Sequence, residues 1–211
     1  MLRAMEIEVW ADVVCPWCYI GKRKLENAIA TFGKPVNVVY RAFQLDPTTP
    51  VNETRLTTEV IAQKYGRSPD EVKGMMDNVT HAAADVGLAY DLEKTRSGNT
   101  LLAHRLLKLA GQQGKGAEAW ERLYRAYFTE AHSLFDIESL CTLANEIGVT
   151  GAKEALSGQL FADEVNADFK TAREIGVTGV PFFLVNHQLA MSGAQPSELL
   201  VRMLQQAEKN T

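Results

Sequence analysis

Hydrophobic and polar positions change period twice within the first fifty residues. Ile7 and Val9 alternate with Glu6 and Glu8, and the run from there to Val14 is apolar except for Asp12. This pattern predicts a strand whose far end is buried on both faces. From Tyr19 to Thr31 the spacing becomes helical, with Ile20, Leu25, Ala28, Ile29 and Phe32 toward one side and Lys22, Arg23, Lys24 and Glu26 toward the other. Gly33 stops the helix and Pro35 makes the stop firm. Val36 to Phe43, rich in valine, is a second strand. Strand, helix and strand in so short a span form a βαβ unit, so the two strands should be parallel.

From about Leu56 to Ile175 nearly every stretch reads as helix, divided by Gly, Pro and Asn. Ser68-Pro69-Asp70-Glu71 is a capping box with proline at the first helical position. The helix it opens carries Val72, Met76, Val79, Ala83 and Val86 on one stripe. Further helices are expected from Leu101 to Ala110, Ala117 to Thr129, Ile137 to Ile147 and Glu164 to Glu174. Strand character returns from Val180 to Val185; Asn186-His187 is a tight-turn signal, and Gln188 to Ser192 pairs back. Pro196 opens a last amphipathic helix with Leu199, Leu200, Met203 and Leu204 inside. Strands at both ends with helices between them imply one α/β domain, residues 1–47 and 176–210, interrupted by an all-helical inserted domain at 48–175.

Composition then narrows the function classes. At 211 residues and 46% hydrophobic, the chain can bury a proper core without disulfide staples, and 23% charged residues argue against global disorder. A net charge of −4, with no stretch dense in Lys or Arg, speaks against a nucleic-acid partner. Three cysteines are too few for a secreted disulfide framework. Glu6 and Glu8 interrupt the amino-terminal stretch from Met1 before a signal-peptide core can build up. No apolar run approaches the roughly 18 residues that span a bilayer. The expectation is a cytoplasmic protein without membrane association, in a compartment where thiols are kept reduced.

That matters because two of the cysteines form Cys15-Pro16-Trp17-Cys18. A zinc site would need a second ligand pair, and Cys141, His81, His104, His132 and His187 are not spaced to supply one, so no metal is expected. A redox dithiol fits the position better. Cys15 falls where a strand ends and a helix begins, at a cap whose free N–H groups and dipole stabilise a thiolate. Pro16 suits the first helical turn. Cys18 lies one turn on and deeper, so Cys15 is the expected attacking thiol and Cys18 the resolving one. Trp17 between them is read as an exposed substrate platform that tunes redox poise.

On these residues the chain resembles the DsbA-like branch of the thioredoxin superfamily, and within it the cytosolic FrnE-like oxidoreductases. The matching segments are Asp12 with Cys15 to Lys22, Phe43-Gln44-Leu45-Asp46-Pro47, Asn99-Thr100 with Ala103-His104-Arg105, Gly179-Val180-Pro181-Phe182-Phe183, and Ser192-Gly193-Ala194-Gln195-Pro196. The resemblance covers nearly the whole chain and implies a thioredoxin-like fold. Some longer members carry an extra cysteine pair near the C-terminus, which is absent here. Related kappa-class glutathione transferases and 2-hydroxychromene-2-carboxylate isomerases typically carry a lone serine in place of the pair, so two cysteines weigh against that branch. The resemblance implies a cis bond before Pro181 and a Val180 backbone that hydrogen-bonds an extended substrate.

The expected activity is thiol–disulfide oxidoreduction or isomerisation in the cytosol, on disulfide-containing proteins or small thiols. No bound cofactor is expected; glutathione or thioredoxin-system thiols are the expected electron partners. Two other readings stay open: a glutathione-dependent small-molecule isomerase or transferase on the same fold, and a non-catalytic chaperone or partner-binding module. Nothing in the sequence signals the oligomeric state.

Four residues are candidate modulators. Pro16 lies within the motif. Asp12 either takes a proton from Cys18 or is a hydrogen-bonded carboxylate at a strand end. Asn99 and His104 follow the family pattern, yet wheel counting puts His104 with Arg105 and Lys108, opposite Leu102 and Leu106, on a solvated face. Cys141 shares a helical face with Ile137, Leu140 and Ala144 and is read as a buried, inert thiol. An open groove lined by Met75, Met76, Leu101 and Phe128, each also a plausible core residue, is expected where the insertion roofs the dithiol.

Overall fold

A computed structural model of the chain describes residues 5–51 and 53–210; Met1 to Ala4, part of the stretch read above against an export signal, lie outside the described residues. Strand β1 (Met5–Ala11) runs parallel to β2 (Val36–Ala42) across helix α1 (Pro16–Phe32), the βαβ unit that the change of period predicts. Gly33 ends α1 in the left-handed conformation (φ 71°), its N–H donating to the Ile29 carbonyl at 3.0 Å. Strands β5 (Phe182–Val185) and β6 (Leu189–Ser192) close an antiparallel hairpin, and the sheet order is β2-β1-β5-β6. Asn186 and His187 turn the hairpin with φ of 48° and 57°, the left-handed pair that an Asn-containing tight turn tolerates.

Between β2 and β5 lie β3 (Arg55–Leu56), α2 (Thr57–Tyr65), α3 (Pro69–Ala84), β4 (Arg96–Ser97), α4 (Leu101–Gln112), α5 (Gly116–Phe128), α6 (Ile137–Glu146), α7 (Ala152–Ser157) and α8 (Ala162–Glu174); α9 (Ser197–Lys209) follows β6. The helical block expected from the sequence is present, with one addition: β3 and β4 pair over two residues each. A pairing that short has no periodicity to read. The capping box of α3 forms in both directions, Glu71 N–H to Ser68 Oγ at 3.3 Å and Ser68 N–H to Glu71 Oε2 at 2.9 Å.

The two faces of β1 divide the core. Ile7, Val9 and Ala11 point into the main cluster, which also takes in α1, α9 and most of the helices between β2 and β5. Trp10 points the other way, into a small cluster with Phe43, Ala172 and Val177, under α8. Helix α8, although it precedes the returning strands, therefore covers the second face of the sheet. Its Asp168 fastens it: Oδ2 accepts the Ala42 N–H at 2.8 Å and also the Lys108 ammonium, while the Asp168 carbonyl accepts Trp10 Nε1 at 3.1 Å.

Two expectations about helix faces are corrected. Lys22 is buried, not outward, because α5 packs over that side of α1 and supplies Glu121, which accepts from Lys22 Nζ at 2.6 Å and from Arg23. Burial alone would raise the Glu121 carboxyl, but hydrogen bonds from Arg23, Lys22 and Tyr19 outweigh it and bring it down to about 2. Leu199 is exposed, and Leu200, Met203, Leu204 and Ala207 form the buried face of α9.

Candidate active site

Cys15 is the N-cap of α1, in an extended conformation (φ −87°, ψ 111°), with Pro16 opening the helix. The turn is held by Cys15 N–H to the Asp12 carbonyl at 3.1 Å and Cys18 N–H to the Cys15 carbonyl at 3.0 Å. The Cys15 thiol donates to the Val180 carbonyl at 3.5 Å, and the Val180–Pro181 bond is cis, as the resemblance implies. Gly21 makes this approach sterically possible. A Cβ there would stand 2.9 Å from Pro181 Cγ and 3.3 Å from Phe183 Cζ.

Both thiols are free and nearly closed to solvent, Cys15 at 4% and Cys18 at 2% exposure. Trp17 between them is exposed at 41%. Burial pushes the Cys18 thiol well up and the neighbouring Cys15 adds to this, while a backbone hydrogen bond from Asp12 partly offsets it. Cys141 is half-buried, shallower than its helical face predicts, and burial raises its thiol too. Alkylation by iodoacetamide at mildly acidic pH should therefore label Cys15, at the helix cap, well before Cys18 or Cys141. Peptide mapping that found all three labelled at equal rates would contradict this asymmetry.

Asp12 and His104 meet under the dithiol. His104 Nε2 lies 3.1 Å from Asp12 Oδ1, and Asp12 Oδ2 accepts the Leu45 N–H at 2.8 Å. The solvated-face expectation for His104 is thus overturned. Helix α4 is wrapped by α5, α6, α7 and α8, so His104 (1%) and Arg105 (3%) are as buried as its leucines. Wheel counting presumes one apolar face, and this helix has partners nearly all round. Arg105 donates to the carbonyls of Leu160 and Gly158 at 2.8 Å each, closing the end of α7, and burial lowers its guanidinium.

Asn99 does not reach the sulfurs. It accepts from Gln44 Nε2 at 3.1 Å and Leu101 N–H at 2.9 Å and donates to the Thr49 carbonyl at 2.7 Å. It pins the segment after β2 to the start of α4, the same segment whose Leu45 N–H holds Asp12.

Sequence reasoning missed Tyr90. From the connection after α3 its hydroxyl donates to the Pro16 carbonyl at 2.8 Å, and its ring stacks on Phe128 at 4.7 Å. Burial raises its phenol, with the charge of Cys15 as the next cause. Tyr19 and Tyr124, stacked at 4.8 Å, continue the aromatic column behind the motif. Only an aromatic in a loop marked Tyr90 in the sequence. The groove residues are redistributed accordingly: Phe128 and Met76 are core, Leu101 is half-buried and Met75 is exposed. A cleft of about 70 Å³ lies beside β4 and the end of α5, lined by Arg96, Tyr127 and Phe135, and one of about 20 Å³ lies between β2, α4 and α5.

Among the described residues, no group of three or more His, Cys, Asp or Glu is placed to hold a metal ion, and no helix is long and apolar enough to cross a membrane.

Residues 6–205 match the DSBA-like thioredoxin domain. An uncharacterized protein, YwbO, of Bacillus subtilis is 29% identical over 220 residues, covering 97% of this chain and 98% of its own. A protein described as a probable DsbA oxidoreductase from Streptomyces coelicolor is 37% identical, with a TM-score of 0.94 over 98% of this chain and 91% of that one. The cytosolic disulfide reductase DsbM from Pseudomonas aeruginosa, solved with glutathione, shares the fold at 18% identity, with a TM-score of 0.65 over 96% and 99%.

Proposed function

The chain belongs to the family of DSBA-like thioredoxin domains, and from that premise we propose that it is a cytosolic thiol–disulfide oxidoreductase working through the Cys15–Cys18 dithiol. The observation that carries this reading is the placement of two free thiols in the first turn of α1, Cys15 at its N-cap and against the Val180 carbonyl. Cys15 attacks a substrate disulfide, its bond to one substrate sulfur forms, and the other sulfur leaves as a thiolate. Cys18 then gives up its proton to Asp12 and attacks Cys15. The Cys15–Cys18 bond forms and the substrate leaves reduced.

Val180 supplies backbone groups to an extended substrate segment beside the sulfurs, and exposed Trp17 supplies an apolar platform. In a reducing compartment the dithiol form predominates, which favours reduction or isomerisation over net oxidation. Glutathione or thioredoxin-system thiols would return the electrons, with no bound cofactor. The burial of Cys15 supports a mechanism in which the substrate displaces neighbouring side chains on docking.

The test is reduction of insulin and refolding of scrambled ribonuclease by the wild-type protein, with and without glutathione. Turnover in both assays is expected. Failure in both with the dithiol intact, alongside glutathione conjugation or isomerisation of a small electrophile, would move the assignment to the transferase branch.

A further inference from the structure

Tyr90 reaches the redox motif from the connection after α3. Its hydroxyl donates to the Pro16 carbonyl at 2.8 Å, and its ring stacks on Phe128 at 4.7 Å and on Tyr19 at 6.2 Å. Ring packing therefore fixes where the O–H points, and burial keeps the phenol protonated. The acceptor is the carbonyl half of the Pro16–Trp17 peptide. The other half, the Trp17 N–H, belongs to the second residue of α1 and has no intrahelical acceptor. An N-cap side chain finds its donor at that position or the next. Cys15 is the N-cap, yet it makes no such bond; its thiol donates to the Val180 carbonyl at 3.5 Å instead.

Deprotonation changes what this geometry favours. A thiolate has no proton to give Val180 and would face a carbonyl oxygen, so it gains by turning to the free Trp17 N–H. We propose that Tyr90 is a positioning residue for the attacking thiol: by holding the Pro16 carbonyl it fixes and polarises the Pro16–Trp17 peptide, whose N–H then receives the Cys15 sulfur as a thiolate. This rests on the thiol–disulfide reading above. A donor on the carbonyl strengthens the donor at the other end of the same amide, because hydrogen bonds in a chain polarise one another. The Cys15 proton leaves to solvent base. The sulfur then bonds to one sulfur of the substrate disulfide, whose S–S bond breaks with the electron pair on the leaving thiolate. The turn of Cys15 also releases the Val180 carbonyl to accept a backbone N–H from an extended substrate.

Tyr90→Phe keeps the ring and removes only the O–H. The titratable groups around the Cys15 sulfur are Cys18, Tyr19 and Arg23 of α1, Asp12 after β1, Tyr90 itself and Tyr124 of α5. Tyr90→Phe alters none of the others. The measurement is the rate of Cys15 labelling by iodoacetamide across the pH range, in a Cys141→Ser background with peptide mapping. On the acidic side the rate for Tyr90→Phe should fall about threefold. On the alkaline side, where the thiolate forms without help, the two profiles should meet. 3-Fluorotyrosine at position 90, a stronger donor of nearly the same shape, should raise the acid-side rate.

Superimposable profiles, or slowing by the same factor at every pH, would overturn the proposal, since a merely loosened motif changes access and not the thiolate fraction. Should Tyr90→Phe not fold, the fluorotyrosine protein decides, and an acid-side rate equal to or below the parent's would overturn the proposal. A parent protein with neither insulin turnover nor acid-side labelling of Cys15 would overturn the thiol–disulfide reading, and this proposal with it.

Discussion

Replacing Cys18 by serine is expected to stop insulin turnover and to leave substrate covalently held on Cys15. The resolving attack is intramolecular, from a thiol one turn along α1 whose backbone N–H donates to the Cys15 carbonyl at 3.0 Å. Without it, release depends on a bimolecular reaction with an external thiol, and turnover should fall by about two orders of magnitude or more, because a high effective molarity is lost. Serine is close in size to cysteine, so the core around residue 18 should hold. Trapping in cell extract, in a Cys141→Ser background to remove adducts on the half-buried third thiol, should yield disulfide-linked proteins, and Cys15→Ser should yield none. Recovery of glutathione or another small thiol alone on Cys15 would favour the transferase reading.

Asp168→Ala is the substitution with the largest expected effect on stability. The carboxylate accepts the buried Ala42 N–H and the Lys108 ammonium, and it lies 3.5 Å from Arg41. Arg41 keeps Glu8 as a partner at 2.7 Å when Asp168 is removed. The Ala42 N–H and the Lys108 charge are left without theirs. Breaking a buried pair in this way costs about 3 kcal/mol, roughly 10 °C in melting temperature for a chain of this length. Asp168→Asn, which can still accept from Ala42, should lose about half of that. Urea unfolding followed by tryptophan fluorescence measures both, because Trp10 packs under the same helix. A loss below about 1 kcal/mol for Asp168→Ala would show that α8 is held to the sheet by apolar contact alone.

Local rules fix several features of this chain before any coordinates. The switch from alternation to helical spacing around Cys15 places a dithiol at a strand–helix junction, since backbone periods of two and 3.6 leave separate marks. Asn186-His187, the capping box at Ser68 and the stop at Gly33 are legible for the same reason: each depends on φ, ψ and hydrogen bonds within a few residues. Asp12, Trp17 and Pro181 stand out as site residues because the motifs containing them are contiguous.

Tertiary packing decided the rest. His104, Arg105 and Lys22 read as solvated because a wheel sees one helix, and their burial comes from neighbours fifty to a hundred residues away that supply carboxylates and carbonyls. Tyr90 has no local signature, yet it reaches the Pro16 carbonyl from 74 residues on. The division of β1, with Ile7 and Val9 toward α1 and Trp10 toward α8, follows the strand period, but α8 as the cover for the second face does not. A polar side chain in sequence is only a donor or acceptor. Whether it meets water, a partner or a buried cleft depends on which distant segments the closing core brings against it.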